Sequence, residues 1–410
     1  MNSQQIKQSA EKYTQQIIEY RRHLHQHPET GFDLDNTREY VKTRLINMGY
    51  QPQDCGRCGL VVIAGGKKPG KTFLIRADMD ALPIEEQSGE DFCSAEKGRM
   101  HACGHDMHTA MLLGAAHLLK EYEDELCGTV KLMFQPAEEV LEGADDMIKS
   151  GVLENPKVDA ALMIHTAMGM PFKTGTVIVC DGGVSAPAAD YFEIEVQGKG
   201  CHGAMPQLGV DPVTIAAHII TALQEIHARE LAMSDEAALT IGTVHAGVAN
   251  NVIPDKAVIG GTMRAYDDEV RATIKTRMAE ISSAIATAFR GTAEVKFTSG
   301  CPTLTNNHAL SACVSRYCKE LLGNDMAFSA GELAKMSGPD AKATKATGSE
   351  DFSYVSHEVP SVMLAAAAGS TADGYNYPLH HPMVRFDETA LTYGACVYAY
   401  NAIRWLEENK

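Results

Sequence analysis

The chain has 410 residues, more than one hydrophobic core usually supports, so two domains are expected, one inserted in the other. Its formal charge of -17 disfavours nucleic acid and anionic membrane as partners, and no run of about eighteen apolar residues marks a membrane span. Eleven scattered cysteines, an odd number, fit reduced thiols; with an N-terminus that lacks the apolar core of a secretory signal, they point to the cytoplasm.

From Ser3 to His25 apolar residues recur at helical spacing (Ile6, Ala10, Tyr13, Ile17, Tyr20, Leu24), and Pro28 ends the run. This predicts an amphipathic opening helix. His23, His25 and His27 sit two apart on it, point in different directions, and are not expected to share a metal. A second helix is expected near Asn36 to Met48. Cys55-Gly56-Arg57-Cys58 has no second C-x-x-C pair and, with Gly59 behind it, reads as a turn. The strand Leu60 to Ala64 leads into Gly65-Gly66-Lys67-Lys68-Pro69-Gly70-Lys71-Thr72, which matches a phosphate loop by pattern. That motif needs a helix N-terminus after its lysine, whereas Thr72 to Ala77 reads as a buried strand, so a hairpin turn is expected there.

Asp78-Met79-Asp80 ends that strand, at the edge where open α/β sheets build their sites. Met100 to His108 then packs three imidazoles, the Cys103 thiol and the Asp106 carboxylate into nine residues. Such N, S and O donors suit a borderline-soft metal such as zinc. An apolar helix, Thr109 to Glu121, follows. Two more predicted strands, Gly128 to Gln135 and Ala160 to Ile164, deliver Glu138-Glu139 and His165. Cys103, His105, Glu139 and His165 thus lie at or just beyond the ends of separate segments, which is how a parallel sheet converges ligands from distant sequence.

From Tyr191 the texture changes to alternation. Strands (Tyr191 to Val196, Leu239 to Val244, Ala257 to Arg264, Ala293 to Thr298) intersperse with helices (Asp211 to Glu230, Asp267 to Phe289), which indicates an antiparallel sheet with one face covered. Inside this stretch Gly198, Gly200 and Gly203 match G-x-G-x-x-G, but Pro206 interrupts the helix a dinucleotide site needs. The helix-and-strand rhythm resumes from about Asn306. The expected architecture is α/β: a mainly parallel catalytic sheet with helices on both faces, formed by residues 1–187 and 304–410, and an inserted α+β domain, 188–303.

His101-Ala102-Cys103-Gly104-His105-Asp106-Met107-His108, Arg76-Ala77-Asp78-Met79-Asp80-Ala81-Leu82-Pro83, Gln135-Pro136-Ala137-Glu138-Glu139, Asn251-Val252-Ile253-Pro254-Asp255 and Glu350-Asp351-Phe352 together resemble the M20 metallopeptidase and amidohydrolase family. The likeness is to its subgroup D, the N-acyl-amino-acid amidohydrolases that include hippurate and auxin-conjugate hydrolases, and it spans nearly the whole chain. The resemblance implies Cys103, His105, Glu139, His165 and His380 as ligands of two divalent metals, zinc or manganese first, with cobalt or nickel also compatible. It implies Glu138 as the catalytic carboxylate. The neighbouring His101, His108 and His381 are expected to pack or support, and Asp78, Asp80 and Asp106 to orient ligands without binding metal. It makes the insertion a lid or dimerisation domain, with His202 at the scissile carbonyl and Asn251 and Arg264 near the substrate carboxylate. The implied substrate is a small N-acyl-amino acid, and a homodimer or higher homo-oligomer is compatible with the inserted sheet. A dipeptidase or carboxypeptidase on the same scaffold, and a metal-binding homologue without catalysis, are the competing readings; Glu138 beside a full ligand set argues against the latter. Thr166-Ala167-Met168-Gly169 and Gln207 depart from the family pattern near the expected pocket.

Overall fold

The computed structural model describes residues 2–337 and 345–410, and the chain divides into two compact units. One comprises Met1–Ser185, Thr305–Lys345 and Asp351–Lys410; the other comprises Ala186–Leu304 and Ala346–Glu350.

The first unit opens with helix α1 (Ser3–Gln26), started by a capping box in which Asn2 and Gln5 satisfy each other's backbone N–H groups. Helix α2 (Asp35–Asn47) follows, then strands β1 (Gln53–Cys55), β2 (Gly59–Gly65) and β3 (Thr72–Asp78), helix α3 (His105–Glu121), strand β4 (Thr129–Gln135), helix α4 (Gly143–Lys149) and strands β5 (Ala160–Ala167) and β6 (Val177–Val179). The eight-stranded sheet runs β1, β2, β4, β3, β5, Ser361–Ala367, β6, Ala327–Ser329. Its centre, from β4 through β3 and β5 to Ser361–Ala367, is parallel.

The expected hairpin at Gly65 to Lys71 does not form. A strand does follow the turn, but β2 and β3 flank β4 and do not pair with each other. Near-continuous apolar runs fit strands buried on both faces. Alternate residues (Phe73, Ile75 and Ala77; Val130, Leu132 and Phe134; Ala160, Leu162 and Ile164) enter the main core beneath α1, α3 and the C-terminal helix Thr389–Glu408. Their neighbours turn to the other face, as period two requires. There Lys131 Nζ donates to the carbonyls of Val152, Glu154 and Pro156 at 2.7–2.9 Å, beside α4, and Arg76 meets Asp351 ahead of the short helix Ser353–Glu358.

A buried polar knot ties α1 to α3. Arg21 Nε donates to Asp106 Oδ2 at 2.8 Å; His25 bonds the same oxygen at 2.9 Å and Glu86 Oε1 at 3.0 Å. Burial favours the neutral acid, but the bonds from His25, Ser88 and the Ser94 N–H outweigh it and bring Glu86 down to about 2. A folded-state value below the ordinary 4.5 contributes stability that is complete above that pH and lost as pH falls toward 2. His25 behaves oppositely: burial lowers its pKa, but Asp106 and Glu86 outweigh burial and hold it above 6.5, so the stability it contributes below 6.5 is lost as pH rises through its folded value. Glu86→Gln should therefore flatten the acid limb of a Tm-against-pH curve between about 4.5 and 2; an unchanged limb would show that this contact does not drive acid unfolding.

In the second unit four antiparallel strands lie in the order Ala237–Ala246, Lys256–Ala265, Ala188–Gln197, Thr292–Cys301. Helices Pro212–Glu225 and Asp268–Ala288 cover one face, packing Ile215, Ile219, Leu223, Ile274 and Met278 on Phe192, Ile194 and Val196. The helix expected to reach Glu230 leaves α geometry at Glu225 and finishes as a wider π turn, Ile226–Glu230. The short strand Cys201–His202 lies within Gly198 to Gly203, and a three-residue 3₁₀ turn, Pro206–Leu208, comes next, so the glycine pattern has no helix N-terminus directly behind it to hold phosphate.

Candidate metal centre

The centre sits where β3, β4 and β5 end. Gly104 turns the chain into α3 with φ +88°, and a Cβ there would lie 2.4 Å from Thr166 Oγ1, so only glycine fits. That turn makes His105 the first residue of α3, four residues earlier than periodicity suggests. His165 also departs from expectation, since it lies within β5. Two residues bracketing the site hold left-handed backbone without being glycine, Ala137 at φ 56° and His380 at φ 64°, a strain that structures retain at functional positions.

His105 Nδ1 lies 2.7 Å from the Asp80 carbonyl, and His165 Nδ1 lies 2.7 Å from the Thr166 carbonyl. A carbonyl only accepts, so each Nδ1 carries a proton, and each ring in its neutral form presents its lone pair at Nε2. His165 Nε2 and His380 Nε2 stand 3.5 Å and 3.2 Å from Cys103 Sγ. Glu139 Oε1 is 3.7 Å from His380 Nε2 and 3.8 Å from His105 Nε2. Glu138 Oε2 is 4.0 Å from His105 Nε2. The structure thus brings Cys103, His105, Glu139, His165 and His380 together, with Glu138 at their margin. Three of the donor groups here (Cys103, His105, His165; Cys103, Glu139, His380; His105, Glu138, Glu139) have ligand atoms within 4.8 Å of one another.

His105 Nε2 and Glu139 Oε1 are buried and have no hydrogen-bond partner, a costly state for two polar atoms facing one another's neighbourhood. Burial, with Asp80 and Asp78 nearby, pushes Glu139 up to about 7, and burial with Glu139 and Glu138 alongside pushes the Cys103 thiol well up. Burial also brings His165 down to about 4, keeping it neutral. Lone pairs, a thiol and crowded carboxylates are what a divalent cation would stabilise, since its charge favours the anionic form of each ligand. The residues present fit a metal pair.

Asp80 orients a ligand as expected, but through its backbone carbonyl, while its carboxylate does work the sequence does not indicate. Its carbonyl fixes His105, and its carboxylate accepts the N–H groups of Glu138 at 3.0 Å and Glu139 at 3.2 Å. The sequence signal is only its place at the end of β3. Thr166 does parallel work: its carbonyl fixes His165, its Oγ1 donates to the Cys103 carbonyl at 3.2 Å, and its N–H donates to His108 Nε2 at 2.8 Å. With Nδ1 bonded to Asp78 at 2.6 Å, His108 has no nitrogen left for a metal. Asp106 serves the α1 knot, His381 stacks on Tyr377 with centroids 4.5 Å apart, and burial holds His101 down to about 3.

In the second unit, His202 and Asn251 adjoin on a two-stranded ladder: His202 pairs with Val252, and Gly203 N–H donates to the Asn251 carbonyl at 2.8 Å. Both are exposed. Arg264 lies on the strand Lys256–Ala265, its guanidinium 5.6 Å from the Tyr191 ring centroid.

Residues 74–403 match the model of the family described as Peptidase family M20/M25/M40. The chain is 38% identical to an N-acetyl-L-cysteine deacetylase of Bacillus subtilis, over 96% of this chain and 89% of that one. It is 34% identical to Thermostable carboxypeptidase 1 of Saccharolobus solfataricus, over 98% of both. Among solved structures, the Bacillus subtilis YXEP protein, described as a dinuclear metal binding peptidase from the M20 family, superimposes with a TM-score of 0.76 at 31% identity, covering 97% of this chain and 99% of that one.

Proposed function

The chain belongs to peptidase family M20/M25/M40, and from that premise we propose that it hydrolyses the amide bond of N-acyl-amino acids, releasing a free amino acid and a carboxylic acid. The observation that carries this reading is a set of five convergent donors, Cys103 and His105 buried and His380 on the solvent side, with a further carboxylate, Glu138, at its edge. Cys103, His105, Glu139, His165 and His380 would hold two divalent ions, with zinc or manganese favoured by the donors. When bound, such ions supply Lewis acidity to the acyl carbonyl and to the attacking water. Glu138 takes the proton from that water and passes it to the departing amine nitrogen. Asp80 holds Glu138 and Glu139 by their backbone N–H groups, so both carboxylates keep their aim while a proton moves.

In the same reading residues 1–187 and 304–410 form the catalytic domain and 188–303 a lid or dimerisation domain, through which the chain would assemble as a homo-oligomer. His202 binds the scissile carbonyl, while Asn251 and Arg264 receive the substrate carboxylate, for which a planar guanidinium offers two parallel bonds. Eleven free cysteines support a cytoplasmic enzyme. No helix among the described residues is long and apolar enough to cross a membrane.

The test is a panel of N-acetyl-amino acids, N-benzoyl-amino acids, dipeptides and acyl amides lacking the carboxylate, assayed with Zn²⁺, Mn²⁺ or Co²⁺ added to metal-stripped protein. Turnover of the acyl-amino acids alone is expected. Preference for dipeptides would favour the peptidase reading that the carboxypeptidase relative supports; no release from any member would leave metal binding without catalysis. On this panel Arg264→Ala should raise KM for acyl-amino acids about tenfold or more, the loss of a charge-assisted contact, and leave the amides unchanged. Equal effects on both classes would remove Arg264 from the carboxylate site.

A further inference from the structure

Away from the metal centre, a cavity of about 490 Å³ lies where the end of α1 meets the start of α2. That volume is in the range of small-molecule sites. Arg44, Arg99, Glu39 and Glu96 line it, and among the described residues none of the four enters an ion pair. Glu39 and Glu96 are exposed at the rim, whereas Arg44 and Arg99 are half-buried, and stacking holds Arg44 in place. Arg44 lies over one side of the Tyr40 ring at 4.5 Å, and His23 stacks on Tyr40 with centroids 3.9 Å apart.

Two polar atoms at this wall are buried and have no hydrogen-bond partner: Arg44 Nε and Thr37 Oγ1, the latter on a side chain only 3% exposed. The other groups at hand are already engaged. Glu29 accepts the N–H groups of Asn36 at 3.3 Å and Thr37 at 2.7 Å, closing the start of α2, so it neither neutralises Arg44 nor leaves that helix end open to an anion.

We propose that this cavity binds a free α-amino acid as its zwitterion, with the carboxylate at Arg44, Arg99 and the Thr37 hydroxyl and the ammonium at Glu39 and Glu96. A simple anion would meet two carboxylates, and a simple cation two guanidiniums; a zwitterion pairs both signs. The inference rests on the cavity and not on the reaction proposed above, although that reaction releases a molecule of this class.

Because an amino acid would also visit the catalytic centre, the test counts sites. Equilibrium dialysis of the metal-loaded protein with radiolabelled L-phenylalanine should reveal one bound molecule per chain that is lost, or weakened about tenfold or more, in Arg44→Gln and in the Glu39→Gln/Glu96→Gln double variant. Binding at the catalytic centre, where present, should persist in both, and kcat should be unchanged. 3-Phenylpropionate, without the amine, and phenethylamine, without the carboxylate, should compete poorly. Equal stoichiometry and affinity in wild type and both variants would overturn the proposal, as would competition by 3-phenylpropionate equal to that of L-phenylalanine.

Discussion

Glu138→Ala is expected to lower kcat by about three orders of magnitude while leaving two metal equivalents per chain. The expected size follows from what a positioned acid–base group contributes, about 10²–10⁴-fold. Metal retention follows from geometry: Glu138 Oε2 lies 4.0 Å from His105 Nε2 at the edge of the donor set, whereas Glu139 Oε1 lies between His105 and His380. The paired control is Glu139→Ala, which should lose both activity and metal. Elemental analysis of the two variants beside their kcat values separates the roles of adjacent carboxylates that share one support, Asp80. Activity near wild type in Glu138→Ala would remove it from the proton path. Loss of metal there would make it a ligand instead.

The division between these neighbours was partly legible in the sequence, because two carboxylates beyond an apolar strand with histidines and a cysteine elsewhere already suggest a metal and a base. What the sequence conveys poorly is the contacts that fix tautomers and angles. Periodicity begins α3 at Thr109, since His105 and Asp106 are polar; the structure begins it at His105, because burial there is decided by Asp80, Arg21 and His25 from distant segments. The apolar run ends at Ile164 and puts His165 after its strand, yet hydrogen bonding carries β5 on to Ala167. Read locally, the Gly65 to Lys71 turn is a hairpin, but β2 and β3 pair with opposite edges of β4, a non-local arrangement that the turn residues do not encode. The alternating stretch from Ala188 to Cys301 was the more transparent half, because an antiparallel sheet with one covered face writes its period directly into the residues.

Asp351→Ala should destabilise the first unit by about 3–5 kcal/mol, the usual consequence of stripping one partner from a buried ion pair. Arg76 and Asp351 are both fully buried. Arg76 Nη2 donates to Asp351 Oδ1 at 2.8 Å, its Nη1 to Asp78 Oδ2 at 2.8 Å, and its Nε to Gln135 Oε1 at 2.9 Å. Asp351 in turn accepts from Gln135 Nε2 at 2.7 Å and from the Ala144 N–H at 2.9 Å. One carboxylate therefore ties the ends of β3 and β4 to the start of α4, and it does so beside Glu138, whose carboxylate lies within 4.8 Å of that of Asp351. Alanine would leave the guanidinium one carboxylate short and the Ala144 N–H without its acceptor. Asp351→Asn keeps an acceptor but not the charge, so a smaller loss is expected, and the difference between the two variants measures the ionic part. The readout is built in, since Trp405 is the single tryptophan and packs 5.0 Å, centroid to centroid, from Phe73 of β3. Urea unfolding followed by its fluorescence reports the first unit alone. A midpoint shift in Asp351→Ala worth less than about 1 kcal/mol would mean that water reaches Arg76 when its partner is removed, and that the knot orients Asp78 without supporting the fold.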